Sequence, residues 1–528
     1  MRRRAIALAG ALGVAALALS ACSGGGGGGT GGGSASTDIT VSLTGDPGDL
    51  NPITNATEAG QIVASYAYQS LVAFPAGKDA QGAIADSWTE STTELKFTLK
   101  DGVTCSDGTP LTASDVKASF EYAGAEKTGS PYKGVYFPAS GLTIDADDDA
   151  HTVTFTSADP QSFLLGTIGL MPVVCAAGSS SPDQLNEKSL GTGAYTLTDS
   201  SPGQSYTFTL RKDFTSGPDG VTSKTAGLPK TVTLKVVDSE STTANMLQQN
   251  QLNIGMVAGA DRDRLDTLDL KKIEVPTRPG LLFFNQAEGR PTHDPAVRKA
   301  LASGIDRDAV GKVSSGGRGT EMKTLNSTFS NVCTDADATP AIPAFDQDAA
   351  GAALDAAGWT LGSDGVRAKD GKKLTLKLLY PGNSDESVVS GIELIQQELA
   401  KIGVTATPTP SPSYTDVIFS GGDWDMIWAP ITTTLPSDWQ GIMSGDFPPN
   451  GGNWTYNTNQ EFFDLAASAQ KLAGDQSCDA WTSAQKSLIS DAAVMPFYQS
   501  SETYYGNGVT FGVNSLGLVS PTTVRVSE

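Results

Sequence analysis

Histidine is almost missing from this chain: His151 and His293 are the only two in 528 residues, and they lie far apart in sequence. That scarcity argues against a His-rich zinc, copper or nickel centre and against most histidine-dependent catalysis. Cysteine is sparse too, at five, with no Cys-x-x-Cys pair and no neighbouring histidine. A thiolate metal site therefore has no obvious ligand set, and neither metal nor cofactor is expected. Basic residues are few, 36 against 58 acidic ones, for a formal charge of −22. Such a balance repels nucleic acid and anionic lipid. The nucleophile elbow G-x-S-x-G and the zinc motif H-E-x-x-H are both absent. Acidic pairs such as Asp423 and Asp425 carry little weight in so acidic a chain. No catalytic residue is assigned, and the chain is not read as an enzyme. After the first 21 residues no run of 18 apolar residues occurs, so no later helix is long enough to span a bilayer.

What is present begins with Arg2, Arg3 and Arg4, followed by an apolar stretch from Ala5 to Leu19. About 15 apolar residues suit a signal-peptide core rather than a membrane span. The stretch ends in Leu19-Ser20-Ala21-Cys22, which resembles a bacterial lipobox. That resemblance implies cleavage after residue 21 and lipid on Cys22. Residues 22–37 are nearly all Gly, Ser and Thr, a composition that behaves as a flexible tether. The chain as a whole, at 39% hydrophobic and 18% charged residues, reads as folded and soluble.

Periodicity predicts strands at 38–43, 95–100, 151–156, 206–210, 231–237, 374–380 and 424–428, and helices at 61–71, 297–305, 348–357, 388–402, 461–472 and 480–489. Thr112 and Asp115 predict a capping box at the head of a helix running through Tyr122. Gly358 and Gly403 follow helices in C-cap positions. Strands and helices alternate in mixed order, which indicates α/β with more than one lobe.

Seven short motifs, in order, carry a family resemblance. They are Ile84-Ala85-Asp86-Ser87-Trp88 with Asp101-Gly102-Val103 and Ser106-Asp107-Gly108-Thr109-Pro110; Gly191-Thr192-Gly193-Ala194-Tyr195; Phe284-Asn285; Val297-Arg298-Lys299-Ala300 with Ile305-Asp306-Arg307; Ala357-Gly358-Trp359; Ile402-Gly403-Val404; and Trp424-Asp425-Met426. Together they resemble the family-five extracellular solute-binding proteins of ABC importers, a group with oligopeptide-, dipeptide-, nickel- and glycan-binding members. The resemblance implies a two-lobed, periplasmic-binding-protein-like α/β fold with a ligand cleft between the lobes. Lobe I would comprise 38–60, 187–277 and 500–528, its extra subdomain 61–186, and lobe II 278–499. Disulfides Cys105–Cys175 and Cys333–Cys478 would then each stay inside one lobe. The motif residues Asp86, Trp88, Asp107, Thr109, Arg298 and Asp306 are read as structural.

The resemblance also implies the ligand region. It points to Asn55, Thr57 and Glu58 after the first strand, to Tyr132 and Tyr136 as an aromatic wall, and to the 428–439 loop with Trp428, Thr432 and Thr434. Tyr414 and Tyr498 border the same cleft. Asn285 either lines it or caps a strand end. Peptide-binding relatives carry an aspartate in that loop, whereas 426–437 hold no carboxylate here. Either Glu58 replaces it or the ligand is not a free peptide, and Trp428, Trp439 and Trp454 could stack on a sugar. The implied function is a lipid-anchored receptor at the outer face of the cytoplasmic membrane. It would be a monomer that captures a peptide or similar polar solute for an ABC permease. A sensor on the same scaffold and an exported hydrolase are the alternatives.

Overall fold

The computed structural model describes residues 37–527 apart from 134, 135, 137, 139, 140 and 328–330. The signal segment, Cys22 and nearly all of the tether lie outside the described residues.

The predicted first strand forms as Asp38–Leu43, alternating exposed and buried side chains before burying its last three. It joins an 11-stranded sheet that runs through the whole body. On one side of that sheet Asp38–Leu43 pairs in parallel with Thr231–Val236, which pairs antiparallel with Ser205–Leu210 and then Tyr195–Ser201. On the other side Thr375–Pro381 lies between Thr405–Ser411 and Met426–Trp428, all parallel. A separate four-stranded sheet is built from Ala85–Glu90, Glu94–Leu99, Leu142–Asp147 and Thr152–Ser157.

Two long strands connect the halves. Lys271–Phe284 and Val494–Gly506 run antiparallel from Lys271↔Gly506 to Phe283↔Val494. Their register shifts between Thr277 and Pro279 and again between Pro279 and Leu281. Such bulges bend a strand and raise its twist, so the pair changes direction where it passes from one lobe to the other. The cores divide at the same place. One cluster gathers Ile39, Phe97, Tyr195, Phe208 and Val275; two others gather Leu282, Leu378 and Ile395, and Phe283, Trp439 and Trp481. The body is thus a two-lobed α/β fold.

Local signals account for the helix ends. Thr112 and Asp115 form the reciprocal capping box at the head of Ala113–Gly124, and Asp306 accepts from the amides of Asp308 and Ala309 at the head of Arg307–Ser314. Gly358 and Gly403 take φ +88° and +78° just beyond two helices, a conformation side chains with Cβ avoid. Cys105 is bonded to Cys175 and Cys333 to Cys478.

Candidate functional site

The helix Glu58–Ala67 turns one face, Gln61, Ala64 and Ser65, toward a cavity of ≈ 190 Å³, and Tyr68 follows at its C-terminal end. The spacing i, i+3, i+4, i+7 is what one helical face requires. The other walls are Phe74 and Pro75, Leu170, the Asn514–Leu518 turn, and the ring pair Tyr132 and Tyr136. Those two rings stack with centroids 4.7 Å apart and planes 14° from parallel. Tyr132 is fixed by its hydroxyl, which donates to the Asn55 carbonyl at 3.0 Å.

The rim of this lobe I cavity meets lobe II. The Asn331 side chain donates to the Pro75 carbonyl at 3.0 Å and accepts from the Gly77 amide at 3.2 Å. Tyr136 faces Asp438, and burial followed by that carboxylate pushes the tyrosine hydroxyl up to about 12. Asp438 is itself pushed up to about 6, because burial disfavours its charge more than the N–H groups of Leu435 and Thr434 favour it. Leu435 packs near Gly166, where an added Cβ would come within 3.1 Å of it.

The sequence-predicted residues divide accordingly. Tyr132 and Tyr136 line the cavity, and Thr434 belongs to the loop that holds Asp438 opposite them. Asn55 is buried and already engaged: it donates to Pro47 and Asp49 carbonyls and accepts from Thr57. Thr57 caps the Glu58–Ala67 helix by accepting from Gly60. Glu58, exposed in the first turn, adds to the upward shift that burial gives the Tyr504 hydroxyl. Thr432 is exposed. None of these four lines the cavity.

Lobe II supplies fewer of the expected contacts. Asn285 is fully buried and turns the chain at a strand end, donating to the Trp424 carbonyl and accepting from the Ala287 amide. Trp428 packs on Phe497 at 5.2 Å. Tyr414 is half-buried against the lobe II core, and Tyr498 lies over Gly311 with its hydroxyl on Asp308. The expected sugar platform is absent: Trp428, Trp439 and Trp454 are all at most 3% exposed and serve as core. The motif residues act structurally, Asp107 holding a turn through Thr109 and Arg298 pairing with Asp491. Sequence reasoning missed the helix face from Gln61 to Tyr68, whose periodicity was visible, and the Asn514–Leu518 wall, which carries no periodic signal.

Residues 79–453 match the profile of the bacterial extracellular solute-binding proteins, family 5, middle region. Protein XP55 of Streptomyces lividans is 28% identical over 379 residues, 65% of this chain and 61% of that protein. The probable D,D-dipeptide-binding periplasmic protein DdpA of Escherichia coli is 26% identical over 305 residues, covering 54% and 56%. The chain thus matches little more than half the length of these curated relatives. A substrate-binding protein from Microbacterium hydrocarbonoxydans, solved with 4-hydroxybenzoate hydrazide, superposes with TM-score 0.72 at 26% identity, covering 93% of this chain and all of that one. The oligopeptide-binding protein AppA of Bacillus subtilis, solved with a nonapeptide, has the same fold, with TM-score 0.70 at 19% identity over 93% and 99% of the two chains.

Proposed function

The chain belongs to the family-5 bacterial extracellular solute-binding proteins, and from that premise we propose that it is a receptor that captures a small solute between its lobes and hands it to an ABC permease. The observation that carries this reading is the stacked Tyr132–Tyr136 pair, one wall of a lobe I cavity two of whose lining residues, Pro75 and Tyr136, meet Asn331 and Asp438 of the other lobe. A solute bound there touches lobe I, and lobe II closes over the rim, so binding favours the closed arrangement. The relatives' ligands range from a dipeptide to a nonapeptide and an aromatic hydrazide. A peptide or similar small solute is the class they support.

The test is a thermal-shift screen of the purified protein, since a ligand stabilises by RT ln(1 + [L]/Kd). A saturable shift that falls at least tenfold in apparent affinity in Tyr136→Ala is expected; a shift unaltered by that variant places the ligand elsewhere. Loss of solute uptake on gene deletion is expected for a transport receptor, whereas retained uptake favours a sensor.

The Leu19-Ser20-Ala21-Cys22 motif and the Gly/Ser-rich stretch after it support lipid anchoring through Cys22 at the outer face of the cytoplasmic membrane. Cys22→Ala is expected to move the protein from the membrane fraction to the medium or periplasm on fractionation; retention in the membrane rejects the anchor.

A further inference from the structure

We propose that the solute is uncharged and that its buried part is about the size of a single aromatic ring. This rests on the receptor reading above and narrows it. The chain carries 58 acidic and 36 basic residues, yet among the described residues no Asp, Glu, Lys or Arg lines the cavity. An ammonium or carboxylate buried there would lose its hydration without an ion-pair partner, a cost of several kcal/mol. The carboxylate at the rim, Asp438, turns its oxygen to the Leu435 amide of its own loop.

The polar side chains in the wall are also largely spent on the protein. Gln69 exchanges hydrogen bonds with Ser216, Gln81 donates to Asp219, and Ser65 and Ser70 donate to the carbonyls of Ile62 and Val72. Recognition falls on the faces of Tyr68, Phe74, Tyr132 and Tyr136, which suit an aromatic or flat apolar partner. Size sets the second limit. A dry cavity of about 150 Å³ accommodates benzene, and pockets for drug-sized ligands begin at about 300 Å³. At ≈ 190 Å³ this cavity encloses one ring with a short substituent, not a peptide backbone with both its termini.

Calorimetry with three probes tests this: benzamide, N-acetyl-phenylalanine amide and the zwitterionic tripeptide Ala-Phe-Ala. The two neutral probes are expected to bind at least tenfold more tightly than the tripeptide. Tyr136→Ala and the cavity-filling Ser65→Phe are each expected to weaken benzamide binding at least tenfold, and Ser65→Phe keeps the test open should Tyr136→Ala fold poorly. Tighter binding of Ala-Phe-Ala, or benzamide binding unaltered in Ser65→Phe, overturns the inference and leaves the receptor reading standing. Failure of all three probes, with native mass spectrometry finding a charged small molecule on the protein, overturns the inference alone. Failure of all three, with no carried molecule and no uptake defect on deletion, overturns both.

Discussion

Asp438 is a carboxyl group on which burial and local hydrogen bonding pull in opposite directions, and burial prevails. Its folded value near 6 lies above the ordinary carboxylate value of 3.8, so the folded chain binds this proton more tightly than the unfolded one. The stability it contributes is fully present below pH 3.8 and is lost as pH rises to about 6; two pH units correspond to at most about 3 kcal/mol. Urea titrations of wild type and Asp438→Asn across pH 4–7 are expected to show a fall in stability over that window that the variant lacks; parallel curves reject the assignment. Asn55 shows why single residues are hard to read. An Asn just before a helix has the same sequence signature whether it faces a ligand or ties down a loop. What decides is the pair of carbonyls at Pro47 and Asp49 that its amide reaches, and no periodicity announces them. Tyr132 and Tyr136 were singled out because residues 130–136 resemble a family segment, not because their stacking could be foreseen.

Among elements, those with one buried face were legible. The Ala113–Gly124 and Glu386–Lys401 helices formed within a few residues of their predicted bounds because capping residues and periodicity agree. The two strands that join the lobes were foreseen only as extended segments near the crossings at 277 and 500, with neither their length nor their pairing. Lys271–Phe284 carries Pro276 and Pro279, which argue against a central strand, and it switches cores midway, so no single alternation runs its length. The Gly191-Thr192-Gly193 motif gains its reason only in three dimensions. A Cβ on Gly191 would meet the Tyr68 ring at 2.3 Å, and one on Gly193 would meet the Ala67 backbone at 2.3 Å. The turn therefore abuts the end of the helix that forms the cavity wall. Gly193→Ala is expected to cost about 1–3 kcal/mol, the usual range for overpacking, and to lower the melting temperature of the free protein by a few degrees. An unchanged melting temperature would show that the helix end yields.

At the scale of the whole molecule, the described residues join the lobes through the crossing strands, through the Asn331 hydrogen bonds to Pro75 and Gly77, and through a buried contact. That contact is Ser162-Phe163, which follows the four-stranded sheet but docks in lobe II. Ser162 is fully buried; its hydroxyl donates to the Ala469 carbonyl and accepts from the Trp481 indole, its amide donates to Gln470, and its carbonyl accepts from the Gly474 amide. Phe163 belongs to the same core cluster as Phe283, Leu435 and Trp439. The assignment of 61–186 to lobe I carried no sign of this contact, since a lone Ser-Phe between strands announces no distant partner. Neither disulfide duplicates the link, because each closes within one core region, Cys105–Cys175 on one side of the crossing strands and Cys333–Cys478 on the other. Opening the cleft by rotation about the crossing strands must therefore extract Ser162 and Phe163 from lobe II. Ser162→Ala leaves the Trp481 N–H without its acceptor, at about 1–3 kcal/mol, and Phe163→Ala empties a core site at about 3–5 kcal/mol. The double variant is expected to speed hydrogen exchange at Gly474 by at least tenfold and to raise the solution radius of gyration of the ligand-free protein. Reducing both disulfides in the wild type should lower thermal stability without moving that radius. If the radius instead rises on reduction and stays fixed in the double variant, the disulfides rather than Ser162-Phe163 hold the lobes together.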